Sequence, residues 1–124
     1  MGFLDQLFGK KTESEQVNKW WRKLESEKDL ETAVQKSFQS KVLIFKHSTR
    51  CLISKTVLKS FEKQIETLDK NYTFYFLDLL ENRALSNEIE MRFDVVHQSP
   101  QLIVLENGKA THNASHQSID LEKV

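Results

Sequence analysis

The chain has one cysteine, one proline and three glycines in 124 residues. A lone cysteine cannot close a disulfide within the chain, so no covalent staple holds the fold, and the usage fits a reducing compartment, the cytoplasm. Excess charge of either sign is also missing. The 18 basic residues balance the 18 acidic ones for a formal charge of zero. That removes the basic footprint of a nucleic-acid-binding surface and any general attraction to anionic lipid. No apolar run is long enough to span a bilayer or to form the core of a signal peptide. Met1-Gly2 opens like a myristoylation signal, but Gln6 stands where Ser or Thr is needed. What is present, 39% hydrophobic and 29% charged residues, describes one ordinary soluble domain with a sizeable core.

The chain divides into an N-terminal arm over residues 1–19 and a domain over residues 20–124. Phe3, Leu4, Leu7 and Phe8 suit a short helical arm that docks on the body or meets a partner. Trp20, Trp21 and Leu24 suggest a first strand or an irregular edge segment, and alternation lets a strand point only one of two adjacent tryptophans into a core. Leu30, Ala33, Val34 and Phe38 share one helical face, with Asp29 as a cap. Val42–Phe45 read as a buried strand that the polar residues Lys46 to Arg50 end abruptly. A helix then runs from Cys51 to about Leu68, carried by Val57, Leu58, Phe61 and Ile65. Tyr72–Leu77 form another strand, and Leu85, Ile89 and Phe93 a further helix from about Asn82. This alternation predicts parallel pairing. Asn107-Gly108, between the apolar run Leu102–Leu105 and Lys109–Ala114, signals an antiparallel hairpin, and Ser118–Lys123 a short terminal helix. The expected fold is therefore α/β, with a central mixed sheet of four to five strands flanked by helices.

Cys51 falls where a strand hands over to a helix. Free amide donors and the positive end of the helix dipole favour a thiolate at such a position, and Lys46, Arg50 and Lys55 bring positive charge close in sequence. An exposed thiolate is what thiol–disulfide exchange needs. The other punctuation mark is Pro100, at the first residue of a strand, where the missing N–H costs the sheet nothing. A cis Ser99–Pro100 bond is a further possibility there. It would leave the Ser99 N–H and C=O extended for strand-like pairing with a substrate backbone.

Strand, cysteine at a helix start, second βα unit and a proline opening a hairpin follow the order of the thioredoxin-like fold. The strings Phe45-Lys46-His47-Ser48-Thr49-Arg50-Cys51, Ile53-Ser54, Glu81-Asn82-Arg83 and His97-Gln98-Ser99-Pro100-Gln101 closely resemble the monothiol bacilliredoxins. The resemblance runs from about Trp20 to the C-terminus. It implies that Cys51 attacks mixed disulfides between protein thiols and bacillithiol, that Ser54 replaces the resolving cysteine of a dithiol relative, and that Pro100 is cis beside Cys51. Bacillithiol is then a thiol co-substrate and S-bacillithiolated proteins are the partners. Thr49, Arg50, Ser99 and Pro100 would meet the substrate, with Arg50 available to the malate carboxylates of bacillithiol. Ser54, His47 and Arg50 would stabilise or tune the thiolate. The chain departs from the pattern at Leu52, where many members carry proline. Leu52 restores an amide near the sulfur and loosens the turn.

The remaining histidines carry blander readings. His47 is either a tuning group or a half-exposed loop residue, and His97 can fix the proline loop. No spacing motif joins His112 and His116 to Cys51 as a metal site. Two other functional classes stand beside thiol exchange. A cysteine hydrolase pairing Cys51 with His47 or His97 lacks any signature of an oxyanion hole or an orienting carboxylate. A non-catalytic thioredoxin-like module would bind partners through the exposed face or the arm.

Overall fold

A computed structural model describes residues 20–124. The arm assigned to residues 1–19 lies outside the described residues. The chain forms β1 (Trp21–Lys23), α1 (Glu27–Lys36), β2 (Val42–His47), α2 (Leu52–Glu66), β3 (Thr73–Asp78), α3 (Arg83–Phe93), β4 (Gln101–Glu106) and β5 (Lys109–Ser115). The five strands make one mixed sheet in the order β1-β3-β2-β4-β5. β1 and β2 flank β3 in parallel, while β4 runs antiparallel to β2 and β5 to β4.

Alternation along the central strands sorts the core onto two faces. Val42 and Ile44 of β2 pack with Leu30 and Ala33 of α1 and Leu85 and Ile89 of α3. Leu43 and Phe45 pack on the other face with Val57, Phe61 and Ile65 of α2. Trp21 closes that second face against Phe45, Phe61, Phe74 and Phe76, and its Nε1–H donates to Glu62 at 2.8 Å. Trp20 also packs there because it precedes the strand and escapes its alternation.

Several boundaries differ from those expected. α1 starts at Glu27 under an N-cap at Ser26, whose Oγ accepts the Asp29 N–H at 3.1 Å. The Asp29 carboxylate reaches back to the Glu25 N–H at 2.9 Å, so it supports the cap that Ser26 provides. Phe38 falls beyond α1 and is 57% exposed. Its ring lies under the hairpin, 3.0 Å from where a Cβ on Gly108 would sit. That hairpin follows expectation, with Asn107 at φ 53° and Gly108 at φ 79°. The chain ends in two 3₁₀ turns, His116–Ser118 and Leu121–Lys123, in place of one helix.

β2 is longer than its apolar run. The ladder to β3 continues through Lys46↔Leu77 and His47↔Asp78, and both polar residues are buried. Backbone pairing, satisfied from β3 and β4 together, carries the strand past the point where hydrophobicity stops.

Candidate functional site

The sheet and α2 together place Cys51. β2 ends at His47, a turn follows, and Cys51 takes the N-cap position of the 15-residue α2 with extended dihedrals, φ −103° and ψ 118°. Its N–H donates to the Ser48 carbonyl at 3.2 Å and its carbonyl accepts the Lys55 N–H at 3.1 Å. The backbone is therefore held from both sides. The thiol is half-buried and makes no cap hydrogen bond, and it has no hydrogen-bond partner among the described residues. Thr49 and Arg50 are exposed in the turn before it, and Leu52, the first helical residue, is 77% exposed.

Pro100 sits at the same end of the sheet. The register Lys46↔Gln101 sets the residue before Gln101 beside the end of β2, and the Ser99–Pro100 bond is cis. The loop is tied at several points. Its Pro100 carbonyl accepts the His116 N–H at 3.0 Å. Gln101 is almost fully buried and spans the loop: its Nε2 donates to the Val96 carbonyl at 2.9 Å, and its Oε1 accepts the Gln98 N–H at 3.3 Å. His97 fixes the loop through its backbone, donating to Glu90 at 3.2 Å.

Three expected neighbours of the sulfur have other contacts. Ser54 is fully buried; its Oγ lies 2.7 Å from His47 Nδ1 and accepts the Ser48 N–H at 3.2 Å. Among the described residues no hydrogen bond joins Ser54 to Cys51, so it shapes the turn and does not cap the thiol. His47 is neither a loop residue nor half-exposed. It is the last residue of β2, 4% exposed, with its ring against Phe76 and turned to Ser54. Burial holds its pKa below the ordinary histidine range, against the opposing pull of Asp78 and with a smaller push from Lys55.

Lys46 alternates to the opposite face of β2. Its Nζ lies 3.4 Å from both the Ser86 carbonyl and His97 Nδ1. Burial brings its pKa down to about 8, with Glu90 pulling it back up. This buried cation was invisible in the sequence because the residues that receive it are 40 and 51 positions away. Gln101 was missed for a different reason: its partners Gln98 and Val96 lie only 3 and 5 positions away, but nothing local shows that its side chain turns inward to span the loop. His97 is also held below the ordinary histidine range, first by burial and then by Lys46.

Residues 22–124 match the family described as monothiol bacilliredoxin BrxC. The chain belongs to the monothiol bacilliredoxin family. The thioredoxin-like fold expected of these bacilliredoxins is present. A thioredoxin-fold protein put forward as an oxidoreductase aligns with a TM-score of 0.75 and 28% identity, covering 86% of this chain and 91% of the other. Thioredoxin from Fasciola hepatica aligns at 0.65 and 16% identity, over 77% and 86% of the two chains. Malassezia sympodialis thioredoxin gives 0.65 and 20%, over 82% and 81%. At such identities these two show the shared fold alone. Among the described residues of this bacilliredoxin, no helix is long and apolar enough to cross a membrane, and no three His, Cys, Asp or Glu side chains are grouped to hold a metal ion.

Proposed function

We propose that this bacilliredoxin removes bacillithiol from S-bacillithiolated proteins by one-thiol exchange at Cys51, in the cytoplasm. The observation that carries the reading is the half-buried Cys51 side chain at the start of a 15-residue helix, with a serine three residues on where a second thiol would resolve it.

The Cys51 thiolate attacks the bacillithiol sulfur of the mixed disulfide. A Cys51–bacillithiol disulfide forms and the protein leaves as its thiolate. An external low-molecular-weight thiol then attacks the bacillithiol sulfur of that adduct, and Cys51 leaves as a thiolate again. No electron is gained or lost by the enzyme over the cycle, and no metal takes part. Ser54 cannot substitute for the second thiol, since a hydroxyl is too weakly acidic to displace a disulfide sulfur.

Substrate contacts are assigned to the two turns that flank the sulfur. The Ser99 amide and carbonyl have no backbone partner among the described residues, which supports their use in strand-like pairing with a substrate beside Pro100. Thr49 and Arg50 are exposed next to Cys51, with Arg50 assigned to a bacillithiol carboxylate. Leu52 and Ile53 expose apolar surface at the helix start, suited to a protein partner. His47 and Ser54 tune the site through the turn they support.

Mass spectrometry of the protein mixed with an S-bacillithiolated protein tests the reading. The expected result is transient bacillithiol on Cys51, appearing as the partner is freed, and no release by Cys51→Ser. Full release by Cys51→Ser would sink the mechanism. A Cys51 adduct that never exchanges would favour the non-catalytic interaction module instead.

A further inference from the structure

A cavity of about 110 Å³ lies between the Cys51 turn and the cis-proline turn. Ser48 lines it from the first turn, His97 and Ser99 from the second, and Arg83, Ser86 and Asn87 from α3. Ser48 is the residue whose carbonyl accepts the Cys51 N–H, so the cavity borders the thiol's own turn.

The lining combines these donors with Leu79 and Leu80 and contains no carboxylate. The Ser99 Oγ is buried without a hydrogen-bond partner. Among the described residues no hydrogen bond or ion pair engages the side chains of Arg83 or Asn87 either. Behind the wall, the fully buried Lys46 reaches Ser86 and His97 only at 3.4 Å, the long limit for a hydrogen bond. Glu90, the carboxylate that acts on Lys46, already accepts the His97 N–H. A buried hydroxyl and a buried cation without close partners are costly unless something completes them.

We propose that this cavity binds one carboxylate arm of an acidic low-molecular-weight thiol while its sulfur is joined to Cys51. The inference rests on the exchange function proposed above and adds the substrate end that the enzyme recognises. A planar carboxylate can take the exposed Arg83 fork bidentately and accept from the Asn87 amide. One water needs roughly 10–15 Å³ of such space, so about 110 Å³ admits a carboxylate arm.

Two measurements test it on the full chain. First, kcat/KM is compared for one protein carrying either bacillithiol or uncharged 2-mercaptoethanol as its mixed-disulfide partner. Arg83 is exposed, so Arg83→Gln keeps the fold, and it is expected to lower the acidic-to-uncharged ratio about tenfold, the low end of a hydrogen bond to a charged group. An unchanged ratio overturns the proposal. Second, titration with malate, followed by amide NMR, is expected to shift the Asn87 side chain and Ser99 in the native protein and not in Arg83→Gln. Absence of those shifts in the native protein overturns the cavity assignment even if exchange is normal. A native protein that exchanges neither disulfide overturns the exchange function, and the malate titration then still decides whether the cavity takes a carboxylate.

Discussion

Ser54 Oγ lies 2.7 Å from His47 Nδ1, joining the last residue of β2 to the first turn of the helix that Cys51 caps. The same oxygen accepts the Ser48 N–H. One hydroxyl thus fixes strand, turn and helix where the thiol stands. The serine three residues after Cys51 has a structural function of its own.

Ser54→Ala is expected to leave the His47 ring nitrogen and the Ser48 amide without their partner. Leaving a buried polar group unsatisfied costs about 1–3 kcal/mol, so the urea midpoint should fall by a corresponding amount with an unchanged slope. Exchange should slow and persist, because Cys51 is intact. Unchanged stability would show that the contact contributes nothing.

Ser54→Cys has the opposite chemical sense. A thiol in the first turn of α2 can attack the Cys51 adduct and close an internal disulfide. Shorter-lived adducts and weaker dependence on external thiol are expected by quenched-flow mass spectrometry, alongside some loss of stability from the weaker S–H hydrogen bond to His47.

Acid should weaken the fold through His47 and His97. Both are held below the ordinary histidine value, first by burial. The unfolded chain takes up protons at these residues near pH 6.5, whereas the folded chain does so only at lower pH. The unfolded state therefore binds more protons in that window, and stability, fully present above about pH 6.5, declines as pH falls below it. Denaturation between pH 7.5 and 5 checks this. His47→Gln should show a shallower decline than the native chain.

Lys46 works in the same direction at higher pH. Its folded pKa of about 8 lies below the 10.5 of a free lysine, so the unfolded chain binds more protons between those values. Stability should rise from about pH 8 toward 10, a rise that Lys46→Met removes. At neutral pH Lys46→Met should itself stabilise the protein, on the order of 1 kcal/mol, because a buried charge gives way to an apolar side chain. If Lys46 supports the carboxylate cavity, the same variant should lose preference for acidic disulfides. A stability gain with full preference would leave Lys46 outside recognition.

Trp21 closes the α2 face of the core with four phenylalanines around it. Trp21→Ala should cost about 3–5 kcal/mol in chemical denaturation. The Glu62 carboxyl, pushed up by burial and opposed by the Trp21 N–H, should move further toward the protonated form once that N–H is removed. Carbon-detected NMR titration of Glu62 reads that shift.

The sequence by itself determined the element order. The switch from apolar runs to helical spacing located Cys51 at a helix start, and Asn107-Gly108 specified a turn whose residues both need positive φ. These are local properties, carried by neighbours within a few positions. Tertiary structure decided what surrounds the thiol. Lys46 and His47 read as the end of a strand because their side chains are polar, yet both continue it, since β3 and β4 supply the ladder. Once in the strand, alternation sends His47 to Ser54 on the α2 face and Lys46 to Ser86 and His97 on the other. Adjacent residues thus serve opposite sides of the sheet. Their partners come from separate elements, and spacing along the chain does not encode which groups a folded sheet will bring within 3 Å or so of each other.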